Sequence, residues 1–264
     1  MTSFSNLLKR LNLDTDLPYD KSPEEMRVSY YNKSKGSLEG YNCKECNNRG
    51  DFMYTKDGIE YLKPCKCTRI RKNYKLVEKS GLGNMFERYS FETFVAASPW
   101  QKEAFDKARR FAENPDGWFF IGGQPGSGKT HLCTAIANEL MQRGMEVKYM
   151  LWRDDSVKLK GSITEEKAYL ELIMPLKDTK VLFIDDFFKA TGKSPSPADV
   201  GIAYEILNYR YNNRHLITLI SSEMLLDRIC TTDAATGSRI VEMCSKYAID
   251  IDPDPAKNYR MVYR

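Results

Sequence analysis

The sequence predicts an α/β protein, a parallel five-stranded sheet covered by helices on both faces and preceded by a small cysteine-bearing module. Three observations carry this reading. Apolar runs alternate with helical patterns from about residue 91 onward. The run at 118–121 leads into Gly123-Gln124-Pro125-Gly126-Ser127-Gly128-Lys129-Thr130. Four of the seven cysteines fall in two close pairs within the first 90 residues.

The strand candidates are 118–121, 147–151, 181–185, 216–221 and 248–251, with helical patterns between them at 130–143, 165–176, 197–211 and 237–247. Ser98-Pro99-Trp100-Gln101 opens a helix running to about residue 113, and Asn114-Pro115-Asp116-Gly117 is a turn. Residues 187–196 contain Gly and Pro with little periodicity and read as a loop.

The segment 123–130 is a complete phosphate-binding loop. Its glycines let backbone N–H groups curl around a triphosphate, Lys129 adds a point charge, and Thr130 can offer its hydroxyl to Mg2+. The helix that begins there points its positive end at the phosphates. Gly123, Gln124, Pro125, Gly126, Ser127, Gly128, Lys129, Thr130 and the adjoining His131 are therefore the expected ATP-binding residues. Val181-Leu182-Phe183-Ile184-Asp185-Asp186 is an apolar strand ending in two acids, the Walker B pattern. Asp185, at the strand's carboxyl end, would hold Mg2+ directly or through water, and Asp186 would orient the attacking water. Arg239 precedes the last strand and is either a solvated helix arginine or a cation for phosphoryl transfer.

Cys43-Lys44-Glu45-Cys46 and Cys65-Lys66-Cys67 flank a stretch that reads as a hairpin, 51–54 and 59–62 around Lys56-Asp57-Gly58. Two thiolates from each end can hold one tetrahedral Zn2+, and a redox role is the rival reading. No fifth ligand is suggested, so the zinc would be structural. Cys133, Cys230 and Cys244 read as small apolar residues. Next, Lys63, Lys66, Arg69, Arg71, Lys72, Lys75 and Lys79 share a stretch with a single acid, Glu78. This linker helix either tracks single-stranded nucleic acid, with Tyr61 or Tyr74 stacking on bases, or is a solvated face. Upstream, Phe4, Leu7, Leu8 and Leu11 mark one face of a short helix, for partner docking or local core. A second helix starts at Ser22, with Pro23 in its first turn and Glu25 completing a capping box. The expected division is a 1–80 module and an 81–264 ATPase domain.

The chain of 264 residues carries a formal net charge of +4, compatible with nucleic acid without requiring it. No run approaches the ~20 apolar residues of a membrane span, and no signal-peptide core is present. A cytoplasmic location without membrane contact is expected, with cysteines serving as metal ligands or buried thiols rather than disulfides.

Together these motifs resemble the DnaC/DnaI-type helicase loaders, including phage members, and the related IstB-like ATP-binding proteins. The resemblance rests on 123–130 running into His131-Leu132, on Ile184-Asp185-Asp186-Phe187-Phe188-Lys189, and on Tyr204 to Tyr211. It rests equally on Ile220-Ser221-Ser222 and on Gly237-Ser238-Arg239-Ile240-Val241-Glu242-Met243. It implies a P-loop AAA+ three-layer core over about 90–252, without a full helical lid. An extra strand would lie between the Walker A and Walker B strands. A polar residue at that strand's end, Ser221 or Ser222 with Ser222 preferred, would touch the γ-phosphate, and Arg239 would be an arginine finger acting on a neighbouring subunit. It further implies ATP-dependent delivery of a replicative DNA helicase to single-stranded DNA, an N-terminal module that grips the helicase, and self-association through the ATPase domain. Two positions depart from the family pattern: Glu223, where Asn is usual, and Ala235, where some loaders carry a basic residue. An IstB-like transposition helper is the alternative within the same resemblance, and a P-loop kinase is a more distant one.

Overall fold

A computed structural model describes residues 22–79, 83–189 and 194–262. The helix expected at 4–11 lies outside these residues, as does part of the 187–196 loop. The chain divides into two compact units, Met1–Thr68 and Arg69–Arg264.

In the first unit, helix α1 (Pro23–Lys33) begins with the expected capping box. Ser22 Oγ accepts the Glu25 N–H and the Glu25 carboxylate accepts the Ser22 N–H, at 3.2 and 2.9 Å. Strands β1 (Asp51–Lys56) and β2 (Ile59–Pro64) form an antiparallel hairpin two residues longer on each arm than expected. Its turn is Asp57-Gly58, both with positive φ, the geometry that matches strand twist. Asn32 docks α1 on the hairpin through hydrogen bonds to both the N–H and the carbonyl of Met53.

Helix α2 (Cys67–Lys79) contains the division between the units. Within the second unit, Ile70, Arg71 and Asn73 are buried and Asn73 Nδ2 donates to the Met145 carbonyl. The sequence of cations is thus not one solvated stripe: side-chain packing claims part of the helix.

The second unit continues through α3 (Gly83–Arg88), α4 (Pro99–Glu113), β3 (Trp118–Gly123), α5 (Lys129–Gln142), β4 (Val147–Leu151), α6 (Trp152–Ser162), α7 (Glu166–Asp178), β5 (Val181–Phe187) and α8 (Pro197–Asn212). After these come β6 (Ile217–Ser222), α9 (Leu226–Thr232), α10 (Ala234–Cys244), β7 (Ala248–Ile251) and a last turn, α11 (Tyr259–Val262). The five strands are parallel in the order β4-β5-β6-β3-β7, so β6 lies between β3 and β5, as the AAA+ pattern requires.

Strand alternation builds the three layers. Phe119, Ile121, Phe183 and Leu219 enter a core with α4 and α5, whereas Trp118, Phe120, Leu182, Ile184 and Ile220 enter a second core on the opposite face. Both faces are apolar because both are covered.

Three elements differ from expectation. Helix α6 follows β4 without a loop, started by the Asp155 carboxylate accepting the Leu151 N–H at 3.1 Å. Helix α10 begins three residues earlier than expected because Asp233 caps it, its carboxylate accepting the Ala235 and Thr236 N–H groups, and it ends at Cys244, before Ser245 with φ 47°. Strand β5 runs past Asp185 to Phe187 through an irregularity in its pairing with β6, with Asp186 at φ 55°.

One buried cation closes the sheet's far end. Arg210, on α8, is fully buried and donates to Thr218 Oγ1 and to the carbonyls of Leu176, Lys177, Thr179 and Ile217, at 2.6 to 3.2 Å. Its planar fork satisfies the end of α7, the turn after it and the start of β6 together. Burial lowers its pKa to about 9, so it remains the charged donor at neutral pH. Arg210→Met removes these hydrogen bonds from a buried site and should lower unfolding free energy by roughly 3 kcal/mol or more, with Arg210→Lys intermediate. Urea midpoints of the three proteins check this.

Candidate nucleotide and metal sites

The phosphate-binding loop connects β3 to α5, and its shape depends on two glycines. Gly128 caps α5 with φ 85°, and a Cβ there would lie 2.9 Å from the Phe94 ring. Gly126 has φ 76°, and a Cβ there would lie 2.1 Å from Asn258 Oδ1. The Gln124 carbonyl accepts both Ser127 Oγ at 2.8 Å and Lys129 Nζ at 2.7 Å. Burial lowers the Lys129 pKa, against the pull of Glu223, Asp186 and Asp185.

Asp185 is the hub facing this loop. Its Oδ1 accepts Thr130 Oγ1 at 2.9 Å and the Ser221 hydroxyl in a short bond, and its Oδ2 accepts Tyr149 Oη at 2.9 Å. Residues from α5, β4 and β6 thus converge on the end of β5. Burial raises the carboxyl pKa, and the hydroxyls of Ser221, Tyr149 and Thr130 oppose the shift. A buried carboxylate beside a threonine hydroxyl at a helix N-terminus is a hard oxygen donor pair suited to Mg2+.

Asp186 points elsewhere. Its backbone N–H donates to Ser221 Oγ at 3.2 Å, while its carboxylate accepts Lys189 Nζ at 3.0 Å. Lys189 also reaches Glu223 at 2.9 Å, bridging the two acids. Ser221, rather than the preferred Ser222, therefore meets Asp185. The Ser222 hydroxyl is committed to backbone, donating to the Phe187 carbonyl at 2.8 Å and accepting the Met224 N–H at 3.0 Å.

His131 lies beside the loop among Tyr89 and Phe94, with ring centroids 4.8 and 5.1 Å away, and its Nε2 is 2.8 Å from the Ser90 carbonyl. Burial lowers its pKa, and because a carbonyl can only accept, Nε2–H is the donor to Ser90. Arg239 is not brought to the loop's hydrogen-bond network. Its guanidinium donates to Asn208 Oδ1 and the Ala235 carbonyl, and it lies over the Tyr204 and Tyr211 rings at 5.1 and 5.3 Å.

Tyr149, Lys189 and the Gln124 contacts were not singled out from the sequence as site features. Tyr149 sits mid-strand in β4, where an aromatic reads as core, and only strand adjacency brings its hydroxyl to Asp185.

In the first unit, the thiols of Cys43, Cys46, Cys65 and Cys67 are buried and lie within 4.8 Å of one another, with Cys43 to Cys65 at 3.8 Å and Cys46 to Cys67 at 3.5 Å. A tetrahedron of ~2.3 Å Zn–S bonds has edges of about 3.8 Å, so the cluster fits Zn2+. The single residue between Cys65 and Cys67 is accommodated by starting α2 at Cys67. The Gly50 N–H donates to Cys46 Sγ at 3.3 Å, a contact that favours thiolate. The other cysteines join no such group among the described residues; Cys133 and Cys244 are buried in the cores.

No described helix is long and apolar enough to cross a membrane. The family model of the bacterial DnaA ATPase domain matches residues 85–239. The phage-like element PBSX protein XkdC of Bacillus subtilis is 34% identical over 223 residues, covering 80% of this chain and 82% of that protein. The replicative helicase loader DnaC of Escherichia coli is 32% identical over 122 residues, 45% of this chain and 50% of the loader. A crystal structure of the DnaC helicase loader shares the fold with TM-score 0.53 and 19% identity over 64% of this chain and 99% of that one. With β6 between the loop strand and the acid-bearing strand, and with these relatives, the chain belongs to the bacterial DnaA ATPase-domain family as a DnaC-like AAA+ protein.

Proposed function

We propose that this chain is an ATP-dependent loader of a replicative DNA helicase, placing it on single-stranded DNA when replication starts. The observation that carries the reading is the pairing of a phosphate-binding loop and buried Asp185 with a separate four-cysteine module in a chain similar to DnaC. ATP would lie on 123–130 with His131 beside it, and Mg2+ on Thr130 and Asp185. Asp186 would activate water, with Ser221 at the hinge between the two acids. The module 1–80 would hold one structural Zn2+ on its four cysteines and grip the helicase, and 81–264 would hydrolyse ATP in the cytoplasm.

Arg239 would act across an interface between copies of the chain. Because its guanidinium is held beside Tyr204, Asn208 and Tyr211 and makes no described hydrogen bond to the loop of its own chain, a part in phosphoryl transfer would have to be played on a neighbouring subunit.

The direct test is capture by the tagged protein from host lysate with and without ATP. Recovery of the replicative helicase supports loading, and recovery of a transposase in its place supports the IstB-like role and sinks this one. At the active centre, Lys129→Ala should weaken ATP-Mg2+ binding at least tenfold, and Asp186→Asn should bind ATP yet lose hydrolysis. Arg239→Ala should bind ATP and hydrolyse it poorly. Mixed with Lys129→Ala, in the presence of helicase and single-stranded DNA, it should regain activity. A mixed assembly with no regain would place Arg239 in a structural role within its own chain. Elemental analysis should find about one zinc per chain, and Cys43→Ser should unfold the first unit while ATP binding persists; metal-free protein with a protease-resistant first unit would contradict this.

A further inference from the structure

The chain from β7 onward is tied to the phosphate-binding loop at three places. Strand β7 pairs with β3 as far as Gly123, opposite Ile251. Beyond it, the Gln124 side chain makes a reciprocal pair with one residue: its Nε2 donates to the Asp254 carbonyl and its Oε1 accepts the Asp254 N–H, both at 2.7 Å. The orientation of the Gln124 amide is fixed by that pair, since each end meets only one kind of group. Farther on, the Tyr259 N–H donates to the Gly126 carbonyl at 2.9 Å, and Asn258 Oδ1 occupies the space a side chain at position 126 would need.

These contacts act on the groups a phosphate would use. A peptide unit is planar and trans, so its carbonyl and the following N–H point in opposite directions. Holding the Gly126 carbonyl toward Tyr259 therefore turns the Ser127 N–H away from the segment. The main-chain carbonyl of Gln124, whose side chain is pinned by Asp254, is the same group that accepts Ser127 Oγ and Lys129 Nζ. A loop of glycines, proline and serine has little side-chain packing of its own to fix these directions, and ordering it on binding would cost conformational entropy.

We propose that residues 252–259 form a strap that preorganises the phosphate-binding loop, with Gln124 and the Tyr259 N–H as positioning groups for nucleotide. The role rests on reading 123–130 as the ATP site. The strap bonds a carbonyl and a side chain of the loop and takes up none of its N–H donors among the described hydrogen bonds, so it braces the cradle without filling it.

Tyr259 offers a single-atom test. It is the first residue of α11, where proline is tolerated, and Asn258 before it is extended (φ −91°, ψ 92°), as a residue preceding proline must be. Tyr259→Pro removes the N–H donor, whereas Tyr259→Ala keeps it and controls for loss of the ring. Calorimetric titration with Mg2+ and a non-hydrolysable ATP analogue should show about fivefold weaker binding for Tyr259→Pro than for Tyr259→Ala, the worth of one hydrogen bond. Melting temperatures without nucleotide should differ by no more than the few degrees that one lost hydrogen bond allows. Gln124→Leu, which removes both bonds to Asp254, should weaken binding similarly or more. Equal affinity of the proline and alanine proteins would overturn the strap's role, as would tighter binding by the proline protein, which would make the segment an obstruction. A wild-type protein that fails to bind the analogue would overturn the nucleotide reading itself, and the strap with it.

Discussion

The buried carboxylate of Asp185 is the constraint around which the second unit is arranged. An acid with so little access to water is stable only where donors surround it, and here they come from three different elements: Thr130 from α5, Tyr149 from β4 and Ser221 from β6. Each of those elements reaches the carboxylate only because the strand order puts β5 between β4 and β6, with the loop helix capping the same edge. Residual cost remains, since burial still holds the carboxyl pKa above its ordinary value. A protein that needed only stability would place an amide there. A carboxylate kept at that cost is consistent with a cation as its working partner.

The opposite end of the sheet solves a related problem with the opposite charge. Arg210 gathers carbonyls from the end of α7, the turn that follows it and the start of β6. These two buried ions differ in their partners: Arg210 is held by one hydroxyl and four carbonyls of the fold, whereas Asp185 is held by three side-chain hydroxyls. The first unit relies on a third device. Its hairpin is mostly exposed, and among the described residues its core is the cysteine cluster with Tyr41 and Phe52. Four thiols at tetrahedral spacing are suited to hold a metal that would add to that core.

Much of this was legible in the sequence because it is local. The loop glycines, the capping box at Ser22, the Asp57-Gly58 turn and the two cysteine pairs each depend on residues a few positions apart. The parallel five-strand sheet followed from alternation of apolar runs and helical patterns. What sequence did not yield depends on contacts between distant elements. Ser221 and Ser222 are indistinguishable neighbours until the pleat directs one to Asp185 and the other to the Phe187 backbone. Helix α6 was missed because it follows its strand with no turn residues to mark the change. The cations of 63–79 read as one face until burial of Arg71 shows that packing claims part of it.

Replacing the central carboxylate by its neutral isostere tests the account most directly. Because burial raises the folded-state pKa of Asp185, its ionised form costs stability at pH values above that pKa, and the cost disappears with the charge. Thermal melts of Asp185→Asn and wild type should be compared at neutral pH, alone, with ATP, and with ATP plus Mg2+. The account predicts a higher metal-free melting temperature in the variant. It also predicts that Mg2+ adds no stabilisation to ATP in the variant, while adding several degrees in wild type. A variant that melts lower without metal yet keeps the full Mg2+ increment would contradict the assignment of Asp185 as the metal-holding centre.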